Sequence, residues 1–196
     1  MLRDGEDHRW HRRLMLPAFR HQALQRYLER MQPHIERGVD RWLASGDLRF
    51  YPEIKRLTLA IAADVFLDAQ LDAEIDDISR DFSDLVAASM AVVRVPGLGR
   101  TWTRGLRARE RLVHFIQARI AGRRQGEGRD LLTQLCQARD ENDQQYSDDE
   151  IVDHMIFLMM AAHDTITSSA TVLFWQLAKN PGWQDLLRAE ARALLE

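Results

Sequence analysis

Lysine is almost missing from this sequence. Of its 27 basic residues only Lys55 and Lys179 are lysines; the rest are arginines, many within the first 30 residues. One local basic face is expected, while a net charge of -3 leaves no global field to recruit nucleic acid or an anionic membrane. The single cysteine, Cys136, excludes an internal disulfide and a multi-cysteine zinc site; it suits a reducing compartment, and the expected location is cytoplasmic. The start, MLRDGEDHRWHRRL, has no apolar h-region, so no signal peptide is expected. The densest apolar run, Met155 to Ala162, ends in HDT. A membrane span needs about 20 residues, so no transmembrane segment is expected in this chain. Internal repeats, low-complexity tracts and runs alternating long enough for a strand are also missing. With 45% hydrophobic and 29% charged residues, the composition is that of a soluble globular protein, and 196 residues suffice for one domain or for part of a larger one.

Apolar residues recur at three and four, which predicts an all-α fold. A first helix is expected over about Glu6 to Ala18 and a second over about Gln22 to Ala44, with a kink at Pro33 and a stop at SGD. A third follows Pro52, a fourth runs from about Asp72 to Val93, and a fifth from about Thr103 to Arg124. Between the last two lies RVPGLGRTW, whose apolar tip is expected to pack on its own domain. A short sixth helix, DLLTQLCQARD, precedes a polar stretch.

The seventh helix carries the most information. SDDE, Ser147 to Glu150, has the form of a capping box, and the helical pattern then continues to Lys179, where Asn180 and Pro181 stop it and cap an eighth. Thirty-odd residues give roughly 45 to 50 Å, more than a small domain is wide. Both IVDHMIFLMMAA and ATVLFWQLA are apolar nearly all round, the pattern of a helix buried on every side. Asp164, between them, is therefore expected in an interior, where an unpaired carboxylate costs several kcal/mol. Thr165 is expected to bond back to the Ala161 carbonyl and bend the helix. Two readings stay open: Asp164 pairs with an arginine and Thr165 fills a polar seam, or acid, hydroxyl and the gap beside Ala161 and Ala162 hold water and pass protons.

AAHDT resembles the Ala/Gly-Gly-x-Asp/Glu-Thr-Thr/Ser signature of the I helix of cytochromes P450, the haem-thiolate monooxygenases. The resemblance implies that Asp164 and Thr165 are the acid and alcohol that help deliver protons to dioxygen, with Ala161 and Ala162 beside the haem. Ala162 departs from the usual glycine and Ile166 from the second hydroxyl residue. GEDHRWHRRLMLPAF in turn resembles the family's C helix, so His8 and Arg12, four apart on one face, are implied as donors to the haem propionates. The runs into and out of the seventh helix also resemble the family in order, so that residues 1–196 read as one incomplete domain from C helix to J helix.

The family's axial Phe-x-x-Gly-x-x-x-Cys-x-Gly loop and its Glu-x-x-Arg helix are not in this sequence. Cys136, in LLTQLCQAR, reads as a packed small hydrophobe, and RARERLV as a solvated arginine-rich face. No metal ligand is therefore expected here, and the fold expected is a partial P450 fold lacking the haem-thiolate half, inactive alone. For the parent protein the resemblance implies haem, O2, a small hydrophobic organic substrate and an electron donor, either a ferredoxin or a flavoprotein reductase. Phe157, Ala161 and Thr165 fall on one stripe and are expected to line the substrate cavity. Arg94 to Trp102 would be the family's F–G lid, and Arg9 and Arg13 are candidates to dock an acidic donor or merely form a solvated face. The alternatives are an all-helical ligand-binding transcriptional regulator and a non-catalytic P450 remnant.

Overall fold

The structure, a computed structural model, describes residues 4–71 and 74–194. Every regular element among them is helical: α1 (Gly5–Met15) with a 3-10 turn (Leu16–Phe19), α2 (His21–Ser45), α3 (Phe50–Leu67), α4 (Ile75–Ser89), α5 (Arg100–Gln125), α6 (Leu131–Gln137), α7 (Asp148–Lys179) and α8 (Pro181–Ala193). The expected start of the fourth helix at Asp72 lies outside the described residues. Pro33 does not end α2, which runs from His21 to Ser45 as one helix.

One core joins α3, α5, α6 and the first half of α7. Leu59, Ala63 and Leu67 meet Leu112, Ile116 and Ile120, and these pack with Leu132, Leu135, Ile151 and Met155. α4 lies against α5 at a close approach: a Cβ on Gly105 would fall 2.1 Å from the Ala88 Cβ. Buried Asp81 on α4 takes a forked pair of hydrogen bonds from Arg111 on α5, and Arg109 reaches Asp153 on α7 at 2.9 Å. The arginine-rich face of α5 is thus exposed and also ties three helices together.

α4 ends at Ser89 instead of Val93. The Arg94 guanidinium turns back to the carbonyls of Ala91 and Ser89, satisfying acceptors that another helical turn would have used. The loop that follows is not packed as expected, since Val92 is 97% and Leu98 79% exposed. Gly97 takes a positive φ of 85° and donates to Thr103 Oγ1, so that α5 begins at Arg100. Asn180 also differs from expectation. Its amide donates to Gln176 O, closing α7, and makes no side-chain cap for α8.

The capping box of α7 is formed, with Glu150 N donating to Ser147 Oγ at 3.2 Å and Ser147 N to Glu150 Oε2 at 2.9 Å. Burial on every side is not observed. All the buried residues of α7 lie between Ile151 and Thr167, and on one side; further on, Val172, Leu173 and Trp175 are more than half exposed. α7 is the one described helix long and apolar enough by length and composition to cross a membrane. Its buried His163 and Thr167 and its packing in the core are the features of a core helix.

Candidate active site

α1 and the turn after it meet the N-terminal half of α7 and leave a cleft of about 350 Å³, lined by His8, His11, Arg12 and Met15 of α1, Leu16 and Phe19 of the following turn, and Glu150, Asp153, His154 and Phe157 of α7. The register of α1 builds it. Leu14 and His11 are buried, which turns His8 and Arg12, one helical turn apart, outward into the cleft. Neither His8 nor Arg12 makes a side-chain hydrogen bond or ion pair among the described residues.

Beneath that face His11 forms a junction that the sequence reading missed. Its Nδ1 lies 2.8 Å from His154 Nε2, and its Nε2 lies 3.4 Å from Asp7 and 3.3 Å from Glu150 carboxylate oxygens. Tyr146 stacks on the ring at 5.1 Å and donates its hydroxyl proton to the His11 carbonyl. Trp10 closes the edge and donates to Asp140 at 2.7 Å, which holds that carboxyl below the usual range. The signal available was small: His154 interrupts an apolar run, and His11 follows His8 by three.

Further along α7 the polar break is arranged differently from the sequence expectation. Asp164 is not interior, because its side chain is 39% exposed. The buried polar group is the neighbouring His163, at 0%. Its Nδ1 lies 3.0 Å from Thr58 Oγ1 on α3, and the same hydroxyl lies 3.0 Å from Thr167 Oγ1. Burial lowers the His163 pKa from 6.5 to about 4; Asp164 opposes the shift and Lys55 adds to it. The back-bond expected of Thr165 belongs instead to Thr167, whose hydroxyl donates to His163 O at 2.7 Å, and α7 continues unbroken. Neither an Asp164–arginine pair nor a buried seam at Thr165 is found among the described residues. Thr165 is exposed.

Phe157, Ala161 and Thr165 do share one open face of α7, with Ala162 and Asp164 at its edge. Only Phe157 of that stripe touches the α1 cleft. Thr165 stands two turns on, roughly 12 Å along the axis. These residues fit a porphyrin: free donors on α1 suit a carboxylate, and a strip with small side chains at Ala161 and Ala162 leaves room for a flat ring beside it. Cys136 does not fit as its thiolate ligand. It is fully buried on α6, and burial pushes its thiol up to about 11.

Comparison with known proteins identifies the family. The family model described as Cytochrome P450 matches residues 1–196, and the chain belongs to the cytochrome P450 family. It is 45% identical over 197 residues to putative cytochrome P450 136 of Mycobacterium tuberculosis, an alignment covering 97% of this chain and 40% of that protein. It is 31% identical to ent-kaurenoic acid oxidase of Oryza sativa, with the same coverage of each. Among solved structures, cyanobacterial CYP120A1 with retinoic acid bound superposes with a TM-score of 0.87 at 25% identity, over 96% of this chain and 44% of that one. The chain therefore spans about 40% of the length of the curated relatives it matches. Nothing in these matches favours a transcriptional regulator, and the 25-residue α2 leaves no short helix pair at the start.

Proposed function

We propose that residues 1–196 form the distal, substrate-side part of a haem-dependent monooxygenase, one incomplete domain of it, and that the complete gene product inserts one atom of O2 into a small hydrophobic organic substrate. The observation that carries this is the open face shared by α1 and α7, where unpartnered His8 and Arg12 flank a strip of Phe157, Ala161 and Thr165. His8 and Arg12 would hold the propionates, arginine through its planar fork. Haem, when bound with a thiolate from sequence outside this chain, supplies the oxygen activation and the C–H chemistry.

The chain's own residues do the rest. Phe157 and Ala161 exclude water from the space where an apolar substrate lies and shape it. Thr165 donates and accepts a proton through its hydroxyl on the ring side of α7. Asp164, partly exposed beside it, exchanges protons with solvent and renews the supply. Electrons would come from a ferredoxin or flavoprotein reductase, for which exposed Arg9 and Arg13 on α1 are candidate contacts. Ent-kaurenoic acid and retinoic acid, named with two of the relatives, are apolar skeletons of the kind such a strip would accept.

The test is spectroscopic. The complete gene product, reduced under carbon monoxide, should give the thiolate-type haem spectrum, and Arg12→Ala should lower its haem affinity. A folded product that takes up no haem would leave the non-catalytic remnant as the correct reading.

A further inference from the structure

We infer that His163 is a positioning residue for Asp164: Thr58 holds its imidazole as the Nδ1–H tautomer, so that the bare Nε2 lone pair serves as the inner acceptor for the Asp164 carboxyl. The inference rests on the reading of Asp164 as the acid of the site.

Counting protons leads to this tautomer. Thr58 Oγ1 lies 3.1 Å from Lys55 O, 3.0 Å from His163 Nδ1 and 3.0 Å from Thr167 Oγ1. Thr167 Oγ1 lies 2.7 Å from His163 O, a carbonyl that can only accept, so the Thr167 proton is used there. Thr58 has one proton, and two of its three neighbours, Lys55 O and Thr167 Oγ1, can now act only as acceptors. If Thr58 gave that proton to the imidazole, it would face both with lone pairs alone, and a buried Nε2–H would have no acceptor within hydrogen-bond distance in the observed rotamer of Asp164. If instead Nδ1–H donates to Thr58, the hydroxyl proton passes to Thr167 or Lys55 and the chain of donors is complete. A neutral imidazole carries one proton, so Nε2 is bare.

That nitrogen is buried and makes no hydrogen bond. Asp164 Oδ1 lies 3.9 Å from it, too far for a bond in the observed rotamer. The Asp164 side chain is 39% exposed. A carboxylate turned inward would meet a lone pair; a carboxylic acid turned inward would donate to it. The site therefore distinguishes the two forms of Asp164, facing the anion to solvent and holding the acid inward. The other charged group acting on the imidazole is Lys55 of α3, whose ammonium donates to Ser83 on α4. Burial lowers the basicity of His163, which disfavours a doubly protonated ring at neutral pH.

Histidine-selective 15N NMR of the complete gene product tests the tautomer, with the His163 signals assigned by their loss in His163→Gln. A protonated Nδ1 and a bare Nε2 at neutral pH are expected, and Thr58→Val should give a mixture of tautomers. A protonated Nε2 in the unaltered protein would overturn the inference, whether or not the protein binds haem, whereas failure of haem uptake would overturn the functional reading and leave the tautomer result standing. Two variants then separate positioning from packing. In His163→Gln the longer side-chain amide can bring a carbonyl oxygen to the place of Nε2; in His163→Asn the shorter amide can satisfy Thr58 but does not reach Asp164. Peroxide released per substrate oxidised should rise severalfold in H163N and stay near the unaltered value in H163Q. Equal changes in both variants would mean that His163 only fills space.

Discussion

Because His163 is neutral and fully buried, the stability of the protein should carry a pH signature that belongs to one residue. Its folded pKa, about 4, lies below the unfolded value of 6.5. The unfolded chain then binds more protons between those values, so this contribution is fully present above pH 6.5, is lost as pH falls through the window, and levels off below about 4. Each pH unit in the window corresponds to about 1.4 kcal/mol, so the full span is worth about 3 kcal/mol and the drop from pH 6.5 to 5 about 2 kcal/mol. Denaturant unfolding followed by tryptophan emission, in the unaltered protein and in His163→Gln, measures it as a difference. Other titratable groups, including the His11–His154 pair, occur in both proteins. His154 lies roughly 14 Å along α7 from His163, so their contributions should cancel in the subtraction. The variant should lose less stability on acidification, by about 2 kcal/mol at pH 5. Parallel pH profiles would refute the assignment of a buried neutral imidazole at this position.

In the complete gene product Thr165→Ala should uncouple oxygen consumption from product, with more peroxide and less oxidised substrate; fully coupled turnover would remove Thr165 from the proton path. Phe157→Ala should alter binding or regioselectivity across a panel of apolar substrates, and an unchanged panel would count against its place in the cavity. Gly105→Ala forces a methyl into the α4–α5 contact and should cost about 1 to 3 kcal/mol of stability, partly restored by Ala88→Gly in the same chain, both read from denaturant midpoints.

The helices were legible because their signals are local. The Ser147–Glu150 box fixed the start of α7 to the residue, and glycine with proline punctuated the loops. Boundaries failed where a distant side chain decided them, as when Arg94 folds back to close α4. The outward residues of the proposed site, His8, Arg12, Phe157, Ala161 and Thr165, were named by resemblance, and they lie on exposed faces of α1 and α7 as their helical spacing requires. The supporting layer of the site was not legible. Nothing in HRWHRR says that His11 and not His8 is the buried imidazole; only the partner across the contact, His154, decides that.

Asp164 shows the same limit from the other side. Expecting it in an interior required α7 to be covered all round, and apolar composition reports what a helix would bury, not what lies against it. α3 covers one side, which puts His163 and Thr167 in the core and leaves Ile166, Val172, Trp175 and, on α8, Trp183 and Leu186 more than half exposed. Exposed apolar faces of this kind mark surfaces that other groups cover. The proposal accounts for them on the α7 strip, where haem and substrate would lie, and on α8, where further protein would pack. On that reading the partly exposed carboxyl of Asp164 would stand where solvent and the covered space meet, able to pick up a proton on one side and release it on the other.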